Sequence, residues 1–208
     1  MGTRREALIV GGLFALGFAV LGGFYYAQTR PAPQPPSAGV DTGGPYLVIE
    51  LGGQVSGEVV IDLRDDVAPL HVERVITLAE AGAYDGVVFH RVIEGFMAQT
   101  GDVRFGRVGG DPGMAGRGGS DLPDLPLEPS DLPFDTGAVG MARADAPDSA
   151  NSQFFIMLDR HPQLDRQYTV LGSVVEGMAH VHAIARGDPR AGGRVEAPDY
   201  MARVRLRE

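Results

Sequence analysis

The sequence predicts a mostly β fold in which a closed barrel is capped by helices. Glycine and proline supply 30 and 15 of the 208 residues, a content that favours many turns. Between residues 46 and 206, most apolar runs are short, alternate with polar residues and end at such turns. Helical spacing occurs in only two segments of that region. Many strands with few helices indicate a barrel rather than a helix bundle.

The predicted elements follow one another from residue 46 onward. Residues 46–51 and 57–63 form a hairpin, because both alternate and a glycine-containing loop separates them. A helix begins near Pro69 and ends at Gly82, and a shorter helix covers residues 178–185. Further strands are expected at residues 87–93, 96–102, 137–142, 152–158, 168–174 and 200–206, with a long glycine- and proline-rich loop at 103–133.

The N-terminal residues 7–27 form an uncharged, apolar run that is long enough for a transmembrane helix. At a rise of about 1.5 Å per residue, the run spans about 30 Å of hydrocarbon. Arg4 and Arg5 precede it and Tyr25 and Tyr26 lie at its far end, which favours an inside N-terminus. The run is longer than the apolar region of a signal peptide, so a retained anchor is favoured over a cleaved signal, and both stay open.

Composition excludes several classes of function and indicates how the chain is organised into segments. The net charge of −9 disfavours nucleic-acid binding, and the absence of cysteine excludes disulfides, thiol nucleophiles and cysteine-ligated zinc. No histidine cluster with metal-ligand spacing occurs, so we expect neither a metal nor a cofactor. The predicted organisation is a short cytoplasmic segment at 1–6, a transmembrane anchor or signal sequence at 7–27, a proline- and glycine-rich linker at 28–45 and a globular domain at 46–208.

Residues 89–102 carry the most informative pattern in the chain. They alternate like a strand, turn at a glycine and resume, and they place Arg91, Phe96, Met97 and Gln99 within nine positions. Taken singly, such an arginine is usually a solvated surface charge, and the aromatic and methionine side chains are usually core. Together they suit a shallow apolar pocket that has a fixed cation at its wall.

Three segments resemble motifs of the cyclophilins, the peptidyl-prolyl cis–trans isomerases. They read FHRVIEGFMAQTGD at 89–102, GMARADAPDSANSQFFIML at 140–158 and LDRQYTVLGSVVEGM at 164–178, in the order in which the family has them. The resemblance covers nearly all of the predicted globular domain. It implies eight antiparallel strands in a closed barrel with two capping helices, and prolyl isomerase activity without a cofactor.

The resemblance also assigns roles to individual positions. Arg91 matches the catalytic arginine of the family. This assignment is chemically reasonable, because twisting an X–Pro bond localises the lone pair on the proline nitrogen, and an arginine can donate a hydrogen bond to it. A non-catalytic module that binds proline-containing segments is the alternative interpretation. The positions that match substrate-binding residues are Phe96, Met97, Gln99, Ala142, Gln153, Phe155 and Leu164.

Departures from the family pattern fall on the expected rim of the pocket. Gln163 stands where many members have tryptophan, Tyr168 lies near a position that is often histidine, and Arg143 replaces a frequent asparagine. His90 is expected to face away from Arg91 and to be structural. The last motif looks more like bacterial members. We therefore expect a monomeric enzyme anchored in the bacterial inner membrane, with its catalytic domain in the periplasm, that acts on exported polypeptides.

Overall fold

One curled antiparallel sheet organises residues 41–207, the part of the chain that the computed structural model describes. Nine strands occur there, in the spatial order β3-β9-β1-β2-β8-β6-β7-β5-β4. Two α-helices accompany the sheet. The strands are β1 Tyr46–Gly52, β2 Gly57–Leu63, β3 Val87–Val88, β4 Arg91–Ile93, β5 Met97–Thr100, β6 Ala138–Met141, β7 Phe154–Met157, β8 Val170–Glu176 and β9 Tyr200–Arg207; the helices are α1 Pro69–Glu80 and α2 Met178–Ala183.

The predicted hairpin and both predicted helices are confirmed. β1 pairs with β2 from Tyr46 opposite Asp62 to Leu51 opposite Gly57. Helix α1 begins with Pro69, whose missing N–H is no loss in the first turn, and it stops just before Gly82. Gly82 has φ +64°, a left-handed conformation that glycine adopts without strain and that ends helices. Helix α2 is two residues shorter than predicted.

The main core is one apolar cluster that the strands and helix α1 build together. Alternate residues of the first strands, such as Leu47, Ile49 and Ile61, are fully buried in it. Val72 and Val75 of α1 pack into the same cluster. The predicted site residues Met97 and Phe155 belong to a second, separate apolar cluster.

The predicted strand at 87–93 is broken in two, which gives nine strands where eight were expected. Phe89 donates its N–H to Asp199 O at 2.9 Å, and His90 O accepts from Val195 N at 3.1 Å. The chain changes partner at this point, because β3 pairs with β9 whereas β4 pairs with β5. Phe89 and His90 bond to residues that precede β9 and not to a strand of the sheet, so the regular strand is interrupted between Val88 and Arg91.

The prediction of a fully closed barrel also needs correction. β3 and β4 occupy the two ends of the strand order, and no ladder joins them within residues 41–207. The loop 187–195 lies along β4 instead: Gly187 N donates to Val92 O at 2.9 Å, and Val92 N donates to Gly193 O at 2.8 Å. The sheet is a curled half-barrel whose remaining gap is covered by this loop.

The long loop after β5 is organised around one buried carboxylate. Asp102 is fully buried, and its Oδ1 accepts from Arg104 N at 3.1 Å and from Phe105 N at 2.9 Å. Its Oδ2 accepts from Gly116 N at 2.8 Å and Gly118 N at 2.9 Å. Four backbone donors therefore converge on one side chain, and this holds both ends of the segment 104–118.

The predicted transmembrane segment falls outside the described residues. Within 41–207, no helix combines the length and the apolar character that crossing a membrane requires. The proposed span 7–27 and most of the linker 28–45 lie outside this range.

Candidate active site

Seven of the eight predicted site residues surround one depression of about 110 Å³ on the sheet. Strand register explains why they meet. Arg91 of β4 is directly opposite Gln99 of β5, and Gln99 is directly opposite Phe155 of β7. Directly paired residues project from the same face of a sheet, so these three side chains are neighbours. We call this depression the apolar pocket; it is lined by Arg91, Phe96, Met97, Gln99, Ala142, Arg143, Phe155, Leu164 and Tyr168.

Aromatic packing supports the wall of the apolar pocket. Phe155 is 6% exposed and stacks on the buried Phe134 with 5.7 Å between ring centroids. Tyr168 meets Phe155 edge-on at 5.8 Å and Phe134 edge-on at 6.5 Å. Met97 belongs to the same apolar cluster. Because each ring is braced by another, the wall keeps its shape without a ligand.

The opposite rim is built from the turn after β4 and a short 3₁₀ helix, Pro162–Leu164. Leu164 closes that helix by donating its N–H to His161 O at 3.1 Å. The His161 ring packs against Phe96 at 4.6 Å, and its Nε2 lies 2.8 Å from Gly95 O. His161 thus connects the two segments that supply Phe96 and Leu164 to the pocket.

Arg91 is held at the polar end of the pocket by two acceptors. Its Nε donates to Gly192 O at 3.0 Å, and its Nη1 donates to Gln99 Oε1 at 3.2 Å. Gly192 has φ +68°, a conformation that favours glycine. Burial lowers the pKa of Arg91 from its ordinary value, but an arginine stays charged at neutral pH. Nη2 makes no hydrogen bond to the residues that the structure describes, so it is free to donate to a ligand.

A chain of side-chain amides fixes Gln99. Its Nε2 donates to Gln153 Oε1 at 2.9 Å. Gln153 Nε2 in turn donates to Gly116 O at 3.0 Å and to Gly118 O at 2.7 Å. Both amide N–H donors of Gln153 are therefore used, which sets the orientation of every amide in the chain. The backbone carbonyls of the long loop thus determine, through two glutamines, where the Arg91 guanidinium lies.

Gln153 is the predicted site residue that the apolar pocket does not include. It lines a second, larger cavity of about 390 Å³, which shares Gln99, Ala142 and Arg143 with the apolar pocket. We call this second space the polar cavity. Its other walls come from Arg104, segment 116–120 and the residues Asp124, Ala144, Ser149 and Asn151.

The structure adds Arg143 and Tyr168 to the site. From the sequence, both were departures from the family pattern and not site residues. The Arg143 guanidinium carbon lies 4.5 Å from the centroid of the Tyr168 ring, a cation–π distance, and both residues line the apolar pocket. The position of Arg143 next to Ala142 could have indicated this. No feature of the sequence could have predicted the contact between Arg91 and the Gly192 carbonyl, because the two residues lie 101 positions apart.

Comparison with known proteins shows the family of the chain. A family model described as "Cyclophilin type peptidyl-prolyl cis-trans isomerase/CLD" matches residues 46–206. The chain belongs to this family. It is similar to a probable peptidyl-prolyl cis-trans isomerase of Brucella suis biovar 1, with 53% identity over 152 residues, 72% of this chain and 78% of the relative. It is also similar to peptidyl-prolyl cis-trans isomerase ppi1 of Schizosaccharomyces pombe, with 40% identity over 127 residues, 59% of this chain and 76% of the relative.

Solved cyclophilins share the fold. The crystal structure of cyclophilin AquaCyp293 from Hirschia baltica has a TM-score of 0.63 and 25% identity, and the match covers 77% of this chain and 73% of that one. A cyclophilin-type isomerase of Cryptosporidium parvum, solved in the presence of the dipeptide Ala-Pro, has a TM-score of 0.66 and 23% identity over 78% of this chain and 99% of that one. The cyclophilin described here is a peptidyl-prolyl cis–trans isomerase, which confirms the predicted activity. The roles of single residues stay predictions.

Proposed function

We propose that the apolar pocket binds the proline of an X–Pro peptide and that Arg91 accelerates rotation about that bond in exported polypeptides. The observation that supports the assignment most strongly is the position of Arg91. Its guanidinium is anchored by Gly192 O and Gln99 Oε1 beside the apolar side chains of Phe96, Met97, Phe155 and Leu164. Within residues 41–207 its Nη2 makes no hydrogen bond and can donate to a ligand.

A fixed hydrogen-bond donor lowers the barrier because the proline nitrogen changes during rotation. In the planar peptide its lone pair is delocalised into the carbonyl, and this resonance sets a barrier of about 20 kcal/mol. In the twisted state the pair is localised on nitrogen and accepts a hydrogen bond. A donor at that position stabilises the transition state more than either ground state, which is the requirement for catalysis. No proton transfer, covalent step or metal takes part in this mechanism.

The remaining residues hold the substrate while the preceding carbonyl rotates. Phe96, Met97, Phe155 and Leu164 provide apolar contacts for the proline ring. The N–H of Ala142 already donates to Gln153 O at 2.9 Å, so its carbonyl is the backbone group offered to a peptide N–H.

Gln99 and Gln153 divide their roles in this proposal. Within residues 41–207, only one of the two amide hydrogens of Gln99 is bonded, to Gln153, so the other can reach the substrate. Both amide donors of Gln153 are bonded to loop carbonyls, so Gln153 acts mainly by positioning Gln99.

The test is a protease-coupled prolyl-peptide assay on the full chain in detergent micelles. Arg91→Ala should lower kcat/KM about 100-fold, the usual effect of removing one fixed donor to a transition state. The matched control is Arg203→Ala, because Arg203 is an exposed arginine on β9 that lines neither cavity. If Arg91→Ala stays within twofold of the wild type, the assignment of Arg91 is wrong.

We also propose that the chain is a monomer anchored in the bacterial inner membrane, with residues 46–208 in the periplasm. The uncharged run at 7–27, the preceding Arg4 and Arg5 and the proline-rich linker support this arrangement. In a bacterial host, the protein should stay in membranes washed with 1 M salt, should keep its original N-terminus and should be digested by protease added to spheroplasts. Recovery of a soluble chain that starts near Gln28 would show a cleaved signal instead.

A further inference from the structure

A third cavity, of about 300 Å³, lies between the first half of the long loop and the chain that leads into β9. It shares no residue with the apolar pocket or the polar cavity. His90 lines it, whereas the next residue, Arg91, lines the apolar pocket. Neighbours in an extended segment project to opposite sides, so this cavity opens away from Arg91. We call it the loop cavity.

The floor of the loop cavity contains a buried histidine without a partner. Val88, His90 and Val195 form this floor and are only 6%, 7% and 4% exposed. Burial lowers the pKa of His90, so its ring is uncharged at neutral pH. The charge of Asp102 and the Val88 carbonyl oppose this shift, but neither ring nitrogen makes a hydrogen bond with the residues that the structure describes. A neutral imidazole has one donor and one acceptor nitrogen, so the floor can bind a polar group that reaches it.

Backbone contacts hold the loop in place over β3. Val88 N donates to Gly106 O at 2.7 Å, and Val108 N donates to Gly86 O at 2.9 Å. Between these two bonds, the guanidinium of Arg107 donates to three backbone carbonyls. The loop cavity is therefore preformed, and a ligand does not have to order its wall on binding.

The walls of the loop cavity are apolar and its rim is acidic. Phe105 contributes an aromatic wall from the loop, and Pro198 contributes an apolar wall from the segment before β9. The exposed rim carries the carboxylates of Asp111 and Glu196. Glu196 makes neither an ion pair nor a hydrogen bond within residues 41–207, and the guanidinium of Arg107 is bonded to carbonyls. This rim, in a protein of net charge −9, attracts cations.

The order of these surfaces specifies the chemistry of an occupant. From rim to floor, the loop cavity presents carboxylates, apolar walls and an unpartnered imidazole. The matching groups, in the same order, are a cation, an aromatic ring and a hydroxyl group. A tyrosine between basic residues carries all three, because its ring is apolar and its hydroxyl lies at the tip, where it can donate or accept.

We propose that the loop cavity is a second docking site for polypeptides and that it binds a tyrosine side chain flanked by lysine or arginine. The tyrosine hydroxyl bonds to His90, its ring packs against Phe105 and Pro198, and the flanking cations lie near Asp111 and Glu196. The site is independent of the proposed function, because it uses no residue of the apolar pocket. It holds a polypeptide at a point separate from the reacting proline.

The experiment measures binding of a fluorescein-labelled peptide, Gly-Lys-Tyr-Lys-Gly, which contains no proline. Fluorescence anisotropy with the full chain in micelles of a non-ionic detergent at low salt should show saturable binding with a Kd below about 1 mM. Phenylalanine in place of tyrosine should weaken binding about two- to tenfold, the equivalent of one net hydrogen bond. Glutamine in place of one lysine should weaken it about two- to fivefold, the range for an exposed ion pair.

Two variants test the rim and the floor separately. Glu196→Lys should weaken binding, because it replaces attraction by repulsion. The matched control Glu73→Lys makes the same charge change on an exposed residue of α1 outside all three cavities and should bind like the wild type. His90→Phe keeps an aromatic ring without its nitrogens and should bind the tyrosine and phenylalanine peptides equally. In the wild type, the NMR signals of the His90 ring should shift more with the tyrosine peptide, a readout that needs no substitution.

Several outcomes overturn the docking site and leave the isomerase mechanism standing. They are the absence of saturable binding up to about 1 mM peptide, equal binding of the tyrosine and phenylalanine peptides to the wild type, and unchanged binding in Glu196→Lys. Competitive inhibition of Ala-Pro isomerisation by the peptide would place it in the apolar pocket instead. Free tyramine that binds as tightly as the peptide would make the occupant a small aromatic amine. Dimers of the chain that Glu196→Lys dissociates would make it a second copy.

Discussion

The two cavities that meet at Gln99 and Ala142 are built in different ways. The apolar pocket arises from strand register, because Arg91, Gln99 and Phe155 are direct partners on three adjacent strands. The polar cavity arises from a loop that is wrapped around the buried carboxylate of Asp102. The proposed bond rotation therefore depends on the sheet, whereas the shape of the polar cavity depends on a loop that can vary while the sheet is kept.

Removing an aromatic wall should have the largest effect on the sheet-built pocket. Phe155→Ala leaves a cavity beside Phe134 and should lower the free energy of unfolding by about 3–5 kcal/mol, as measured by urea titration. Phe155→Leu, which keeps most of the apolar volume, should lose about 1 kcal/mol and retain activity. A loss below 1 kcal/mol for the alanine variant would show that this wall is not packed as described.

Removing the loop's central carboxylate should affect the polar cavity first. Asp102→Ala leaves four backbone N–H groups without their acceptor, and the free energy of unfolding should fall by about 3 kcal/mol. Asp102→Asn, which keeps one acceptor oxygen, should have a stability between those of the wild type and Asp102→Ala. An alanine variant with wild-type stability would contradict the account of the loop.

Acidic pH should lower the free energy of unfolding through the buried His90. The buried His90 ring lies against Gly116, and burial lowers its pKa from 6.5 to about 4. Below pH 6.5 the unfolded chain binds a proton on this histidine, whereas the folded protein does not. The free energy of unfolding therefore falls as the pH drops from 6.5 towards 4, and His90 does not change it above pH 6.5. The loss should reach about 2–3 kcal/mol near pH 4. Burial also lowers the pKa of His71, which acts in the same direction.

Direct NMR titration of the histidine rings checks this assignment without a substitution. A His90 ring that titrates near 6.5 in the folded protein would contradict it. Catalysis in the apolar pocket should respond differently to pH. Arg91 stays charged, so kcat per folded molecule should not change between pH 6 and 8.

The smallest expected effect concerns the glutamine that joins the two regions. Gln99→Ala removes an acceptor from the charged Arg91, and kcat should fall about tenfold while the free energy of unfolding changes little. Steady-state kinetics separate kcat from KM. A rise in KM at unchanged kcat would mean that Gln99 binds the substrate and does not orient Arg91.

The pattern of residue types at 89–102 indicated a pocket with a cation at its wall, and the resemblance to the cyclophilin motifs added the residues from other segments. Arg91, Met97 and Gln99 lie at alternate positions of two paired strands, and side chains at alternate positions share one face. The motif that contains Phe155 follows at the expected distance along the chain. Both helices could be predicted as well, because Pro69 and Gly82 mark the ends of α1 through local backbone preferences.

By itself, then, the sequence predicted the mostly β fold, because strand alternation and turn residues are local properties. Its resemblance to the cyclophilin motifs predicted the reaction class and seven of the nine residues that line the apolar pocket. Only the tertiary structure decided the contacts between distant segments. It broke the strand 87–93 where its partner changes, covered the remaining gap with loop 187–195, and brought Gly192 O to Arg91 across 101 residues. It also wrapped the loop around Asp102, which placed segment 116–120 at the polar cavity. Such contacts depend on how the sheet curls and on where buried polar groups find partners, and no local pattern encodes either one.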